Sequence, residues 1–145
     1  MSELIGAWSL EVSEFRLASG RITYPLGRNP MGRIIYTDNG YMSVILTIRQ
    51  GAKIGLIPEA FWSNILSPKK MIAAIRLIRA NFGLLSYSGR YFVDGNVVSH
   101  HVDLSSYPDF CGMNLMREVR CEEGRLIIEN NSDSGSSRLI WSREI

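Results

Sequence analysis

Residues 85–104 read LSYSGRYFVDGNVVSHHVDL, two alternating strands joined by Asp94-Gly95, a dipeptide suited to the positive φ values of a tight hairpin turn. A two-residue loop at that dipeptide pairs Val93 with Asn96, Tyr91 with Val98, Gly89 with His100 and Tyr87 with Val102. One face then carries Tyr87, Gly89, Tyr91, Val98, His100 and Val102. The other carries Ser88, Arg90, Ser99, His101 and Asp103. A loop one residue longer sets Arg90 against His100 and mixes the two faces, so the pattern supports the shorter loop. In this register His100 lies on an apolar face, opposite a glycine that leaves space beside the imidazole. Such a histidine is either a core residue hydrogen-bonded to a neighbour or a binding-site group, and the sequence accommodates both.

The same period-two rhythm extends in both directions. Ile34 and Tyr36 precede Asp38-Asn39-Gly40, and Met42, Val44, Leu46 and Ile48 follow it. A three-residue loop ending in Gly40 pairs Tyr36 with Met42 and Ile34 with Val44. Near the C-terminus, Glu123-Gly124 suits a two-residue turn that pairs Cys121 with Leu126, Val119 with Ile128 and Arg117 with Asn130. Arg117 thereby shares an apolar face with Leu115 and Val119. Strands also read over residues 4–15, with Leu4, Gly6, Trp8, Leu10 and Val12 on one face, over 138–144, and briefly over 21–24. Residues 130–137, rich in Ser, Asn and Gly, read as a surface loop. Eight or nine antiparallel strands in sequence order, without βαβ spacing, fit a meander closed into a barrel or folded as a sandwich.

One segment departs from this rhythm. Ser67-Pro68 is a helix start, with serine as N-cap and proline at the first helical position. Met71, Ile75, Ile78 and Phe82 then recur at helical spacing, with Lys69, Arg76 and Arg79 off the stripe, and Gly83 is a credible stop. This stripe is expected to cover one end of a barrel. Residues 58–66, with Phe61 and Trp62, read as a further short helical turn. A long insertion of this kind is usually a cap or a functional loop.

At 145 residues, the chain is long enough for one domain, 1–145, with a substantial core. Met1-Ser2-Glu3 leads straight into a strand, with neither a basic leader nor a long apolar run. A signal peptide or membrane span is therefore not expected, and a cytoplasmic location is. Cys111 and Cys121 follow no metal-ligand spacing and read as reduced thiols. The net charge of +2 is spread along the chain, without the dense basic stripe or interleaved aromatics of a nucleic-acid surface. No nucleic-acid partner is expected, and the oligomeric state is open.

Several ordered stretches together resemble the microbial lipocalin-like domain proteins, small barrels of the calycin kind. They are Leu4-Ile5-Gly6-Ala7-Trp8 with its Gly-x-Trp, Tyr24-Pro25-Leu26-Gly27 with Pro30 and Gly32, and Ile34 through Ser43. Tyr87-Ser88-Gly89-Arg90-Tyr91, His100-His101-Val102, Pro108, Gly112, Arg117 and Leu139-Ile140-Trp141 complete the set. Residues 51–66 fit this pattern least. The resemblance implies a mainly all-β fold: an antiparallel barrel of eight to nine strands with one helical insertion capping an end. It also implies an interior cavity for a small, largely apolar molecule.

An eight-stranded barrel has room inside for side chains or for one small ligand. The expected ligand-binding residues are Tyr36, Met42, Tyr87, Tyr91, Val98, His100 and, on the closing strand, Trp141. Arg117 either joins them or stacks on Trp8 or Trp141 to close the bottom. The sequence contains no nucleophile elbow, no His-Glu-x-x-His, no phosphate-binding glycine loop and no paired inward carboxylates. The enzymatic alternative is a cofactor-free cyclisation, isomerisation or dehydration of a polyketide- or terpenoid-like intermediate. There His100 serves as acid or base and Arg117 polarises the substrate. A packed barrel acting as an interaction module is the third reading.

Overall fold

The computed structural model describes residues 3–47 and 67–145. Nine strands form one antiparallel sheet: β1 (Gly6–Leu17), β2 (Ile22–Thr23), β3 (Met31–Tyr36), β4 (Tyr41–Thr47), β5 (Leu84–Asp94), β6 (Val97–Ser105), β7 (Asn114–Glu122), β8 (Arg125–Ser132) and β9 (Gly135–Arg143). Each strand from β3 to β9 pairs with the next. β1 pairs with β3 on one side and β9 on the other, closing an eight-stranded barrel with β2 as a short addition to β1. The inward residues Trp8, Ile34, Met42, Val98, Leu126 and Trp141 are all nearly or wholly sealed from solvent and belong to one hydrophobic core.

The β3–β4 hairpin has the expected register, Tyr36 opposite Met42 and Ile34 opposite Val44, with Gly40 at φ +87° closing the turn. The β7–β8 turn is also as expected. Glu123 and Gly124 both take positive φ, 51° and 75°, and Cys121 and Val119 face Leu126 and Ile128. That ladder begins at Glu118 opposite Glu129, and Arg117 pairs instead with Val98 of β6.

Several expectations need correction. The β5–β6 register is shifted by two residues: Asp94 faces Val97 and Tyr91 faces His100. The turn residues are Gly95 and Asn96, with Gly95 at φ +60°. Glycine thus occupies the first central position, the place a type II′ turn assigns to it. A two-residue shift preserves the faces, so His100 still points inward. The space expected beside Gly89 does not exist. β6 bulges where the register slips between Ser88 and Gly89, and a Cβ on Gly89 would lie 1.9 Å from the His101 carbonyl oxygen. Gly89 is there because another backbone passes too close for any side chain.

A second bulge, between Leu10 and Val12 in the β1–β9 pairing, turns the strand over. Beyond it Ser13 is buried and Val12 only partly so, where simple alternation puts Val12 inside. Residues 130–137 are not a loop but the tip of the β8–β9 hairpin, with Asn130 opposite Ser137 and Ser132 opposite Gly135. Pairing with the neighbouring strand outweighs the turn-like composition there.

The helix α1 (Pro68–Phe82) has the predicted bounds, with the Ser67 side chain accepting from the Lys70 amide at 3.3 Å. Its packing differs from expectation. Ala73 is its buried residue, and it adjoins β5, while Met71, Ile75, Ile78 and Phe82 are exposed. The helical turn expected at 58–66 lies outside the described residues.

The Gly89 contact yields a stability prediction. Gly89→Ala should cost about 3 kcal/mol, because backbone rather than a mobile side chain must give way. Gly124→Ala, with open space around it but a positive φ, should cost only about 1 kcal/mol. Urea denaturation of the two variants tests this ordering, and a wild-type midpoint for Gly89→Ala would contradict the close approach.

Candidate functional site

β3, β5 and β6 bring Tyr36, Tyr87 and His100 together inside the barrel. His100 is 1% exposed. Its Nε2 lies 2.8 Å from the Tyr36 hydroxyl and its Nδ1 3.2 Å from the Tyr87 hydroxyl. Tyr91 stacks edge-on against Tyr36, centroids 4.9 Å apart, and donates its hydroxyl to the Thr37 carbonyl at 2.7 Å. Phe110, on a short 3-10 turn (Pro108–Phe110), closes on Tyr87 with centroids 6.1 Å apart.

Burial sets the electrostatics of this group. It pulls the His100 pKa down to about 3, helped by the positive charge of Arg117. It also pushes the Tyr36 and Tyr87 hydroxyls upward. All three groups are therefore neutral near pH 7. A neutral imidazole has one donor and one acceptor nitrogen. Tyr36 has no other hydrogen-bond partner among the described residues, so its proton goes to Nε2. Nδ1 then carries the ring proton and donates to the Tyr87 oxygen. The Tyr87 hydroxyl proton is left without an acceptor among the described residues. Arg117 donates toward the same Tyr87 oxygen and lowers that hydroxyl's pKa against the effect of burial. Arg117 is half-buried on the inward side of β7, between buried Leu115 and Val119. It donates to the Met116 carbonyl at 3.0 Å and has no carboxylate partner among the described residues.

The other expected site residues are all inside the barrel. Met42 lies opposite Tyr36 and Gly89, Val98 is fully buried opposite Arg117, and Trp141 is fully buried between Leu10 and Leu126. The Trp141 indole nitrogen has no hydrogen-bond partner among the described residues. His101 points the other way, its Nδ1 2.7 Å from the Asn114 side-chain oxygen. Arg117 stacks on neither Trp8 nor Trp141. Arg143 stacks instead, its guanidinium 4.3 Å from the Trp8 ring centroid and donating to the Ile5 carbonyl at 2.9 Å. The sequence reading missed Arg143, although it shares the period-two face of Trp141 and pairs with Trp8. Phe110 was missed because it belongs to no strand.

Residues 5–144 match the family model of the lipocalin-like domain. The chain belongs to the lipocalin-like domain family. Among solved structures, this lipocalin-like domain is similar to fatty-acid-binding protein 1 of Echinococcus granulosus, 14% identical over 100% of both chains with a TM-score of 0.45. A redesigned β-barrel is 11% identical over 99% of this chain and 94% of its own, with a TM-score of 0.45. The wild-type fluorescent protein UnaG is 10% identical over 99% and 98%, with a TM-score of 0.42. No curated protein matches the sequence. No described helix is long and apolar enough to cross a membrane, and no described cluster of His, Cys, Asp and Glu is arranged to hold a metal ion.

The buried imidazole makes stability depend on pH. Unfolded, His100 takes up a proton near its ordinary pKa of 6.5; folded, it does so only near 3. The unfolded state thus binds more protons between these values, and stability falls as pH falls through that window, by up to ~1.4 kcal/mol per unit. From pH 7 to 4.5 the loss due to His100 should be about 2–3 kcal/mol by urea titration. The His100 ring signals should meanwhile stay in their neutral-form positions by NMR; a midpoint near 6.5 would refute the burial argument. Tyr36→Phe, which strips Nε2 of its partner, should cost about 1–3 kcal/mol at pH 7.

Proposed function

We propose that this barrel binds a small, largely apolar molecule that carries a hydrogen-bond acceptor or acidic end. The reading rests on one observation above all: a half-buried arginine on the inward face, without a carboxylate partner among the described residues. Beside it is a tyrosine hydroxyl with a proton to give. A few convergent polar groups in an apolar surround are the usual make-up of a small-molecule site, and a guanidinium suits an acid or carbonyl oxygen. The family supports the same reading. In this reading Tyr87 and Arg117 meet the polar end of the ligand. Met42, Tyr91, Val98 and Trp141 supply apolar wall, and Tyr36 and His100 act behind them by orienting Tyr87.

The cyclase or isomerase alternative uses His100 as acid or base. A group with a pKa of about 3 is a weak base at neutral pH, and both ring nitrogens already have tyrosine partners. Efficient proton transfer favours a pKa near the working pH. Binding is the better-supported function, with no cofactor required.

The test uses the apolar anion 1-anilinonaphthalene-8-sulfonate, followed by fluorescence and displaced by a long-chain carboxylic acid or by the matching alcohol. The acid should compete better than the alcohol. Arg117→Leu should weaken acid binding about tenfold, the value of one charge-assisted hydrogen bond, while leaving alcohol binding nearly unchanged. Failure of any apolar probe to bind would refute the function. Equal acid binding by a folded Arg117→Leu variant would refute the role of the arginine.

A further inference from the structure

Two orientations of the Tyr36–His100–Tyr87 chain are compatible with its distances of 2.8 and 3.2 Å. In one, Tyr36 donates to Nε2 and the Nδ1 proton goes to Tyr87, so the unmatched proton belongs to the Tyr87 hydroxyl. In the other, Tyr87 donates to Nδ1 and the Nε2 proton goes to Tyr36, so the unmatched proton belongs to Tyr36. Burial decides between them. Tyr36 is 1% exposed, with the Tyr91 ring edge-on against it, whereas Tyr87 is 8% exposed and lies next to the half-buried Arg117. A bare phenol proton costs most where water is furthest away, so the first orientation prevails.

That orientation also occupies the Tyr87 oxygen. It accepts from the His100 ring proton and from the Arg117 guanidinium, which leaves it no capacity for a third donor. This end of the chain therefore presents donors alone: the Tyr87 hydroxyl proton and the N–H groups of Arg117 not used on the Met116 carbonyl. A ligand oxygen without a proton, as in a ketone, an ester or a carboxylate, can accept from both residues. A hydroxyl oxygen can accept as well, but its own proton then meets only donors and stays unmatched. Leaving a buried donor bare is how a polar site rejects a close analogue.

We propose that His100, backed by Tyr36, is a specificity-determining positioning residue: by holding Tyr87 as a donor, it selects ligands whose polar end is a proton-free acceptor and rejects the matching hydroxyl compounds. This rests on the binding reading above and deepens it, because the discrimination comes from the neutral chain and not from the charge of the arginine.

A matched uncharged pair tests it: methyl nonyl ketone and methyl nonyl carbinol, each displacing 1-anilinonaphthalene-8-sulfonate from the full chain. The ketone should bind roughly tenfold more tightly, the effect of one unmatched buried donor. Tyr36→Phe with His100→Leu replaces both polar groups behind Tyr87 by apolar side chains. The Tyr87 oxygen can then accept the carbinol proton, and the preference for ketone should disappear. Structural damage alone would weaken both compounds alike and keep their ratio. Without any variant, the nitrogen NMR shifts of His100 in the wild-type protein should place the ring proton on Nδ1, with and without ketone. Equal binding of ketone and carbinol by the wild type overturns the proposal and leaves the binding reading standing, whereas failure of both to bind removes both. A ring proton on Nε2 in either state, or a folded double variant that keeps the wild-type ratio, also overturns it.

Discussion

The double pairing of β1 governs the rest of this structure. By bonding to β3 along one edge and to β9 along the other, β1 removes the open edges that a meander of the other seven strands would leave. Closure also fixes what the interior must contain. Alternate residues of eight strands are forced toward one axis, so any polar residue among them is cut off from bulk water and must find its partner there. The bulge between Leu10 and Val12 lets β1 curve enough to serve both neighbours, at the cost of breaking its own alternation.

Inside that boundary, His100 and the two tyrosines solve one another's problem. Unpartnered, a buried imidazole or phenol loses its water hydrogen bonds with nothing in return. Together, the three neutral groups form a chain with a consistent direction of donation, Tyr36 to Nε2 and Nδ1 to Tyr87. A chain of this kind has two ends. The Tyr36 end is closed by packing, while at the Tyr87 end the hydroxyl proton has no acceptor and Arg117 no carboxylate partner among the described residues. Core hydrogen bonding and ligand binding are therefore not competing explanations of His100. The same satisfied histidine that stabilises the core also decides which way the Tyr87 hydroxyl points.

The fold was legible because its signals are local. Tyr36 and Met42 sit opposite one another because Asp38-Asn39-Gly40 admits one compact turn, and the register follows from it. Asp94-Gly95-Asn96 was less decisive, since glycine can take either central position of a two-residue turn. The inward face was still read correctly because the alternatives differ by two residues. What the sequence could not display were the contacts made by backbone from elsewhere. Gly89 looks the same in one dimension whether it leaves a hole or admits a carbonyl, and only the bulge opposite decides between them. Arg143 was recoverable from its alternation with Trp141. Phe110 was not, because its approach to Tyr87 depends on a turn outside the periodic strands.

The helix shows the same limit from the other side. Its stripe is real as a pattern, but periodicity specifies only that apolar residues share a face, not which body that face meets. In β1 and β9 the matching question is answered by the closing cluster at the end holding the chain termini. There Arg143 lies over Trp8, and Trp8 donates to the Leu4 carbonyl at 2.9 Å. Trp8, Trp141 and Leu126 are sealed in consequence. Toward the opposite end, from which α1 leads back into β5, Leu26, Leu46, Leu85 and Phe110 are only partly buried. Among the described residues, side chains are thus less completely sealed at that end than around Trp8. Among the described residues, the barrel is thus sealed most completely around its tryptophan–arginine pair, and its inward side chains are less deeply buried at the end from which α1 leads into β5.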